Sequence, residues 1–515
     1  MAAVFSNYRQ PAARLRASLR EGLGGFWRRA AVFRDAGPEA DARSWRRAAF
    51  TSFLIAGIAL LGVFWGTAIA VADWNALYLA ISLIGCVFIL LDFRIGVVLL
   101  ILLLPISRSY MFPHAMLGIT GLNPFNAVLV GTLGSCLLHG LFDGSIRRFM
   151  PRPLLWLYLV PFLIAGALGS RHVGDIAPHY YMREVLDFYD TAGYIRDVVA
   201  KPLLIVIVAL LVGAAVSKSE KPEKFLIPML ISIGVMGSLG IVFVHLSGFT
   251  LFEVATSARG LMSLALGIND NELGKMYLIA YALLLFTWAD SKEVGFRLVL
   301  LASMAMLTVA IVLMFSRATY VGFITANVLF LLWRRNAKTL VFFGLLGVAA
   351  LFLLPDAVYD RIAYGVGSGS NKISSSRIEQ IWLPLLPDVL RSPIYGSGLS
   401  SILWSDGMRA ADEVTVKGVG HPHNAYLEIV LDMGITGLIL VGAYFVHLWK
   451  GFRALSVDPS LSPTLRGFYL GAAAGMVSFM ISAVADSSLT PKTEQAFLWL
   501  AIGMMYGQKA RKPAM

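Results

Sequence analysis

A polar cluster, His421-Pro422-His423-Asn424, precedes an apolar stretch near the end of a strongly hydrophobic chain. Histidine can exchange a proton near neutral pH because its reference pKa is about 6.5. His423 is the better candidate for proton transfer, with Asn424 available to orient it, and His421 is assigned a supporting role. The competing interpretation is that a histidine at the start of a helix caps it or forms interfacial hydrogen bonds.

Two arginines far from this cluster, Arg259 and Arg317, are the other candidates for chemistry. An arginine at a membrane edge is costly, so it is functional by default. Paired guanidinium groups suit a phosphorylated ligand, because each binds phosphate oxygens bidentately and keeps its charge. With a histidine nearby, they predict departure of a diphosphate while a hydroxyl group is activated. Two plainer interpretations stay open: Arg317 reaches the interface with its long side chain, and Arg259 pairs with an outer acid.

The composition predicts an integral membrane protein. Of the 515 residues, 57% are hydrophobic and 14% are charged, and the mean hydropathy is +0.72. Soluble domains carry about a quarter charged residues. The net charge of +12 concentrates in loops that are predicted to be cytoplasmic, so it does not indicate nucleic-acid binding. Cys86 and Cys136 lie within apolar runs and form neither a disulfide framework nor a metal-binding spacing.

Hydropathy predicts the elements that position these residues. The predicted fold class is an all-α polytopic membrane protein with about 12–14 transmembrane helices and one large outer loop. Two of the segments, the third and the last, are short enough to be re-entrant or tilted. The predicted segments are 50–71, 75–92, 95–106, 124–142, 153–170, 200–216, 225–246, 272–289, 297–315, 318–333, 339–355, 424–448, 467–487 and 495–507.

Charge orients the segments. The first 49 residues are rich in arginine and show no cleavable signal peptide, so we expect a cytoplasmic tail. Alternation from there places short basic loops in the cytoplasm and puts both arginines and the histidine block at the outer face. The predicted divisions are a tail at 1–49, a helix bundle at 50–355, a large outer loop at 356–423, and C-terminal helices with a short cytoplasmic tail at 424–515.

The large outer loop contains one stretch with helical periodicity. Its apolar face is predicted to rest on the membrane surface. Pro384 and Pro387 predict at most a short, broken helix there. Asp270 and Glu272 lie elsewhere, near the outer face. They could bind a metal ion or cap the start of a helix, and the helix cap is the favoured interpretation. The apolar residues at helical spacing in the loop are Ile378, Trp382, Leu385 and Val389.

The order of these motifs resembles the bacterial O-antigen ligase and O-antigen polymerase superfamily over roughly residues 200–510. One departure is that the segment from Arg259 to Asn271 is longer than the family's spacing and lacks its Pro-Asn pair. Whether Asn269 or Asn271 has the family's role is therefore open. The matching elements are Arg259-Gly260 with Asn269 and Asn271, then Ser316-Arg317, then Arg377, Trp382, Pro393 and Gly396-Ser397-Gly398, and finally His423-Asn424 through Gly434-Ile435-Thr436-Gly437.

The resemblance implies a glycosyltransferase of GT-C-like architecture in the bacterial inner membrane, acting at the periplasmic face without cofactor, metal or nucleotide sugar. Its donor would be an undecaprenyl-diphosphate-linked glycan. Arg259 and Arg317 would neutralise the departing diphosphate, and His423 would deprotonate or orient the acceptor hydroxyl for an inverting attack. The residues expected to bind substrate are His421, Asn424, Arg377, Trp382, Asn271 and Asn269.

Several functions stay open within this expectation. A ligase that attaches the glycan to lipid A core is slightly favoured, because the histidine block matches well. A polymerase that extends an O-antigen, capsular or exopolysaccharide chain is the close alternative. A lipid-linked glycan flippase is a competitor from another class. It is less favoured, because transporters place polar site residues near the bilayer midplane.

Overall fold

The computed structural model describes residues 74–110, 112–116, 119–143, 150–182, 185–256, 266–334, 341, 352, 354–363, 369, 374–410, 419–485 and 488–511. The chain divides into two units, Met1–Leu77 and Tyr78–Met515. The second unit contains the candidate functional residues that the structure describes. The predicted span at 50–71, Arg259, and most of the predicted span at 339–355 lie outside the described residues.

Helices dominate the described part of the chain. Two short strands, β1 (Ala115–Met116) and β2 (Ile119–Thr120), pair antiparallel. The helices are α1 (Trp74–Leu91), α2 (Phe93–Leu103), α3 (Pro124–Asp143), α4 (Arg152–Asp175), α5 (Pro178–Met182), α6 (Thr191–Ser217), α7 (Pro222–Ser247), α8 (Leu251–Thr256), α9 (Asp270–Asp290), α10 (Val294–Leu313), α11 (Arg317–Arg334), α12 (Asp356–Ala363), α13 (Leu383–Arg391), α14 (Asp406–Arg409), α15 (Ala425–Ser456), α16 (Pro463–Ser482) and α17 (Ala496–Arg511). A π-helical turn, Ile378–Trp382, precedes α13, and 3₁₀ turns occupy Ser401–Trp404 and Thr493–Gln495.

The predicted all-α polytopic membrane class is confirmed. Within the described residues, eight helices are long and apolar enough to cross a membrane, namely α3, α4, α6, α7, α9, α10, α15 and α16. Apart from 50–71 and 339–355, each predicted span overlaps one of the helices above. Hydropathy works well here because a segment in hydrocarbon must satisfy its backbone hydrogen bonds internally, which favours helices.

Helix α9 forms the centre of the bundle, and small residues on its neighbour α16 allow close packing. A Cβ atom at Gly471 of α16 would lie 2.7 Å from the carbonyl oxygen of Ala282 on α9. Helices α6 and α17 also pack closely at a glycine, since a Cβ atom at Gly503 would lie 2.2 Å from the carbonyl oxygen of Ala209. Glycine at helix interfaces lets backbones approach closely, which strengthens van der Waals packing in membranes.

The helix ends separate into two groups. At one end of the bundle, α9, α11 and α15 begin and α16 ends. At the other end, the last residue of α9, Asp290, forms an ion pair of 2.8 Å with Arg334, the last residue of α11. Basic residues predicted to be cytoplasmic accompany this second end, where Arg453 lies 5.1 Å from the ring centre of Trp333. Arg317 and the histidine block therefore lie at the end opposite to these basic residues.

The prediction of at most a short, broken helix in the outer loop is wrong. The π-helical turn Ile378–Trp382 continues without a gap into α13, and Pro387 lies inside that helix. Pro384 lies at the junction of the two helical segments, where the hydrogen-bond pattern changes from π-helical to α-helical. The predicted membrane-facing side is also wrong. Leu385 is fully buried, whereas Leu383 on another side of the helix is 52% exposed.

Candidate active site at one end of the bundle

The histidine block lies where α15 begins. The side-chain oxygen of Asn424 accepts hydrogen bonds from the amides of Tyr426, at 3.0 Å, and Leu427, at 3.1 Å. The amide of Ala425 donates to the carbonyl oxygen of Ala483, 3.0 Å away, just beyond α16. Asn424 is therefore the N-cap of α15. A contact between Asn424 and a substrate stays a prediction.

His421 and His423 contact one another. Their ring centroids are 4.0 Å apart, and the amide of His423 donates to Nδ1 of His421 over 3.3 Å. The φ angle of His423 is 54°, in the left-handed region that few non-glycine residues adopt. The carbonyl oxygen of Pro422, between them, accepts a hydrogen bond of 2.9 Å from the indole N–H of Trp382. The hydrogen bond from Trp382 and the contact between the two rings together hold both imidazoles in position.

Both histidines line a cavity of about 580 Å³, a volume typical of ligand-binding pockets. Ionisable side chains form much of the wall. A carboxylate accepts hydrogen bonds through both oxygens, so such a wall suits a ligand with many hydroxyl groups. Besides the two histidines, the ionisable residues that line the cavity are Asp187, Asp197, Glu428, Asp432 and Lys492.

Arg317, the first residue of α11, lies at the same end of the bundle. Its Nη2 atom donates to the hydroxyl oxygen of Ser375, 2.8 Å away in the outer loop. The hydroxyl of the preceding Ser316 donates to the side-chain oxygen of Asn271 over 2.7 Å. Asn269 accepts a hydrogen bond of 2.7 Å from the amide of Asn271 and caps α9. The two asparagines thus differ: Asn269 caps α9, whereas Asn271 holds the start of α11.

Arg377 joins the outer loop to the end of α16. Its Nη1 atom donates to the carbonyl oxygen of Ala485. Two residues earlier in the chain, Ser375 accepts the hydrogen bond from Arg317. The segment 375–377 therefore bridges the start of α11 and the end of α16, next to which α15 begins. In this way the structure brings Arg317, Arg377 and the histidine block to one end of the bundle.

Helix α15 is interrupted at Gly434, whose φ of 68° and ψ of −172° are not helical. The outer loop binds to the interruption, where the amide of Ser397 donates to the carbonyl oxygen of Leu431 over 2.9 Å. A Cβ atom at Gly434 would lie 2.2 Å from the carbonyl oxygen of Ile394, so the position requires glycine. The glycine pattern in the sequence marks this contact between loop and helix, which sequence reasoning did not foresee.

Asp432 is a buried acid that the sequence analysis missed. It is 3% exposed and lies in α15, one turn after Glu428. Its carboxylate accepts hydrogen bonds from the amides of Ser400 and Ser401, both at 3.0 Å, and from the Ser401 hydroxyl at 2.6 Å. The available signal was an ionisable residue inside an apolar span, which by default indicates a role. Here the role is to hold the loop against the helix.

Ion pairs among the described residues extend from the start of α9 to the cavity. A buried charge is stable only when a neighbouring charge compensates it. Glu272, considered from sequence as a metal ligand or a cap, is one of the paired acids. The most buried pair is that of Lys275 and Glu494, whose side chains are 1% and 3% exposed. The pairs are Arg108 with Glu272 at 3.4 Å, Lys275 with Glu494 at 3.9 Å, and Lys492 with Glu428 at 4.0 Å.

Lys492 lies outside the membrane-spanning helices and lines the cavity. Burial on its own lowers the pKa of a lysine amine. The neighbouring carboxylates of Glu428, Glu494 and Glu272 outweigh burial, so the pKa of Lys492 is raised above its ordinary value. Lys492 is therefore protonated at neutral pH, and it contributes a positive charge to a cavity wall that also carries several carboxylates.

Arg259, the other arginine of the predicted pair, falls within 257–265, outside the described residues. The structure describes the residues on both sides of this segment. Helix α8 ends at Thr256, and the carbonyl oxygen of Leu266 accepts a hydrogen bond of 3.0 Å from the amide of Tyr110. A joint role for Arg259 and Arg317 stays a prediction.

Comparison with known protein families gives a match for one part of the chain. Residues 301–442 match the family model described as O-Antigen ligase. This range contains Arg317, the outer loop and the histidine block. The match confirms, for this part of the chain, the resemblance to the O-antigen ligase and polymerase superfamily. No curated protein matches the chain.

Proposed function

We propose that this chain, whose residues 301–442 match the O-Antigen ligase family model, is a membrane glycosyltransferase. It transfers a glycan from an undecaprenyl-diphosphate carrier to an acceptor hydroxyl group, with inversion at the anomeric carbon and without a metal ion. The observation that carries the proposal is the bridge from Arg317 through Ser375 and Arg377 to the end of α16, beside the histidine block.

Arg317 is assigned to the leaving group. As the bond between the anomeric carbon and the diphosphate oxygen breaks, both electrons of that bond stay on the oxygen. A guanidinium group stabilises this charge because it is permanently cationic and its N–H groups match phosphate oxygens. Ser375 positions the guanidinium from the loop side. Arg259 is assigned as the second guanidinium at the same diphosphate.

His423 is assigned to the acceptor. Its imidazole takes the proton of the acceptor hydroxyl, or orients that hydroxyl, while the oxygen forms a bond to the anomeric carbon on the side opposite to the diphosphate. Attack from the opposite side inverts the configuration at that carbon. His421 supports this role, since its Nδ1 accepts the amide of His423 and its ring packs against the same imidazole.

The cavity beside His423 is the place we assign to the acceptor. Its carboxylates, Asp187 and Asp197 among them, suit hydrogen bonds from sugar hydroxyl groups. The donor's diphosphate is assigned to the Arg317 side of the histidines, where the guanidinium group compensates its charge. Donor and acceptor are thereby assigned to opposite sides of His423.

The charge distribution supports a periplasmic active site. Basic residues such as Arg334 and Arg453 lie at the end of the bundle opposite to Arg317 and His423. The positive-inside rule assigns the basic end to the cytoplasm. We therefore propose an inner-membrane protein whose termini are cytoplasmic and whose site faces the periplasm, where undecaprenyl-diphosphate-linked glycans would be used.

A ligase that transfers to lipid A core and a polymerase that extends a glycan chain share this donor chemistry, and the ligase is our first assignment. A flippase fits less well. Transport sites usually lie near the bilayer midplane on broken helices. In the described residues, by contrast, Arg317 and the histidine block lie at one end of the bundle, under a loop that is hydrogen-bonded to both.

The test uses the full chain, purified and reconstituted in nanodiscs, with an undecaprenyl-diphosphate-linked glycan. Lipid A core and a carrier-linked glycan are supplied as separate acceptors, and products are separated by gel and mass spectrometry. A glycosylated lipid A core supports the ligase, and an elongated carrier-linked glycan supports the polymerase. Folded protein that forms neither product from any matched donor and acceptor overturns the proposal.

The role of Arg317 is tested in the same assay. Arg317→Ala is expected to lower transfer by roughly a hundredfold or more, the usual effect of removing a group that stabilises transition-state charge. Arg297→Ala is the control, because Arg297 lies 5.1 Å from the ring of Trp288 at the other end of the bundle. Transfer at the wild-type rate by Arg317→Ala protein would contradict the assigned role.

A further inference from the structure

Helix α13 exposes a stripe of leucines. Leu383 is 52% exposed, Leu386 46% and Leu390 74%. Residues at this spacing share one face of a helix. On the other side of the helix, Leu385 is fully buried in the protein core. A helix in contact with water on its outer side would carry polar residues at those positions, so the stripe indicates an apolar environment.

The apolar surface continues beyond the end of α13. Ile394 is 52% exposed and Tyr395 is 73% exposed. The amide of Ile435 in α15 donates to the carbonyl oxygen of Pro393 over 2.8 Å, and the amide of Thr436 donates to that of Ile394 over 3.2 Å. These two hydrogen bonds place Ile394 directly beside a membrane-spanning helix.

The position of this surface relative to the membrane follows from helix α15. Ile435 and Ile439, 45% and 63% exposed, lie on the outside of α15, where a spanning helix contacts lipid. From the interruption at Gly434 to the end of the helix at Ser456, the chain is long enough for about 33 Å of helix. This length is enough to cross the ~30 Å hydrocarbon core with Lys450 and Arg453 at the far interface, so the interruption lies near the opposite membrane boundary.

A polar contact marks another flank of α13. Arg391, the last residue of the helix, pairs with Asp388 at 3.2 Å and with Asp406 of α14. The hydrogen bond from Arg391 lowers the pKa of the Asp406 carboxyl group. The helix is therefore amphipathic, with ion pairs where it meets α14 and leucines on its exposed face.

We propose that α13 lies in the membrane interface at this end of the bundle, with Leu383, Leu386 and Leu390 in contact with lipid. Its apolar face is continuous with the lipid-facing surface of α15, and Tyr395 lies at the level of the headgroups, where tyrosine is enriched. Because Trp382 is hydrogen-bonded to Pro422, the membrane contact also fixes the depth of the adjacent histidines.

The experiment measures the surroundings of α13 directly and needs no enzymatic activity. Single cysteines replace Leu386 or Leu390 in the full-length protein lacking Cys86 and Cys136, and each is labelled with a fluorophore in nanodiscs. Quenching is measured with nitroxide-labelled lipids and with aqueous iodide. Ile439→Cys is the lipid-exposed control. Ala410→Cys, just beyond α14 and exposed, is the water-exposed control.

The expected result is quenching of the Leu386 and Leu390 labels by lipid nitroxides about threefold or more above that at Ala410, approaching Ile439. Quenching by iodide is expected to rank in the reverse order. Two results would overturn the proposal. Iodide quenching equal to that at Ala410 would place the helix in water, and protection from both quenchers would mean that protein, such as a second copy of this chain, covers it.

Discussion

The indole N–H of Trp382 donates a hydrogen bond of 2.9 Å to the carbonyl oxygen of Pro422, the residue between the two histidines. The two residues are 40 positions apart in the chain. Trp382 ends the π-helical turn that leads into α13, so the hydrogen bond joins the helix of the outer loop to the histidine block. The position of His423 therefore depends on a residue that need not touch the substrate.

The Trp382→Phe variant tests this dependence. Phenylalanine retains the aromatic packing but removes the N–H group, so transfer is expected to fall about tenfold, as for the loss of one buried hydrogen bond. Trp404→Phe is the matched control, because its indole N–H has no hydrogen-bond partner among the described residues. Glycan transfer is measured for both variants. Equal losses in the two variants would mean that the Trp382 hydrogen bond does not position the site.

Substitution of the two histidines separates their roles. Asparagine tolerates the left-handed backbone of His423 but cannot accept a proton at neutral pH. We expect His423→Asn to lower the turnover number by roughly a hundredfold or more, and His421→Asn to have a smaller effect. The measurement is the rate of transfer at saturating donor. A larger loss in His421→Asn would reverse the assignment of the proton acceptor.

Glycine at the interruption of α15 is expected to be required for stability. Gly434→Ala places a Cβ atom 2.2 Å from the carbonyl oxygen of Ile394 at a φ of 68°, which should cost more than about 1 kcal/mol of unfolding free energy. Gly442→Ala in the same helix is the control, since its Cβ would meet no atom within 4 Å. Thermal unfolding in detergent measures both. A Gly434→Ala protein as stable as Gly442→Ala would show that the interruption tolerates a side chain.

The buried ion pair of Lys275 and Glu494 is suited to a double-mutant cycle. Either Lys275→Met or Glu494→Gln leaves one charge at a site that is 1% or 3% exposed, at a cost of about 3–5 kcal/mol. The double variant removes both charges, so its loss should be smaller than the sum of the two single losses. Unfolding free energies are measured in detergent. Strictly additive losses would indicate that the two charges do not interact.

Sequence reasoning predicted much of the fold because the membrane imposes simple rules. A span must be apolar and long enough to cross hydrocarbon, and these properties can be read locally, as at Asp270–Asp290 or Pro463–Ser482. The prediction for residues 378–391 was wrong because it also relied on a local property, the presence of two prolines. Proline usually interrupts a helix because it lacks an amide, yet Pro384 and Pro387 both lie within one continuous helical stretch here.

The candidate site was predicted only in part. The histidine block and Arg317 stood out, because polar residues at a membrane edge are rare. Asp432, Lys275, Glu494 and Lys492 did not, since each is meaningful only with its partners, which are distant in sequence. The serine amides that bind Asp432 lie more than 30 positions earlier in the chain. No local periodicity encodes such pairings.

The hydrogen bonds between residues 393–398 and the interruption of α15 also have a mechanical consequence. They replace helical bonds lost at Gly434, and to separate the two segments would leave amides unpaired in an apolar environment. Residues 393–398 and the two halves of α15 on either side of Gly434 are therefore expected to move together as one rigid unit.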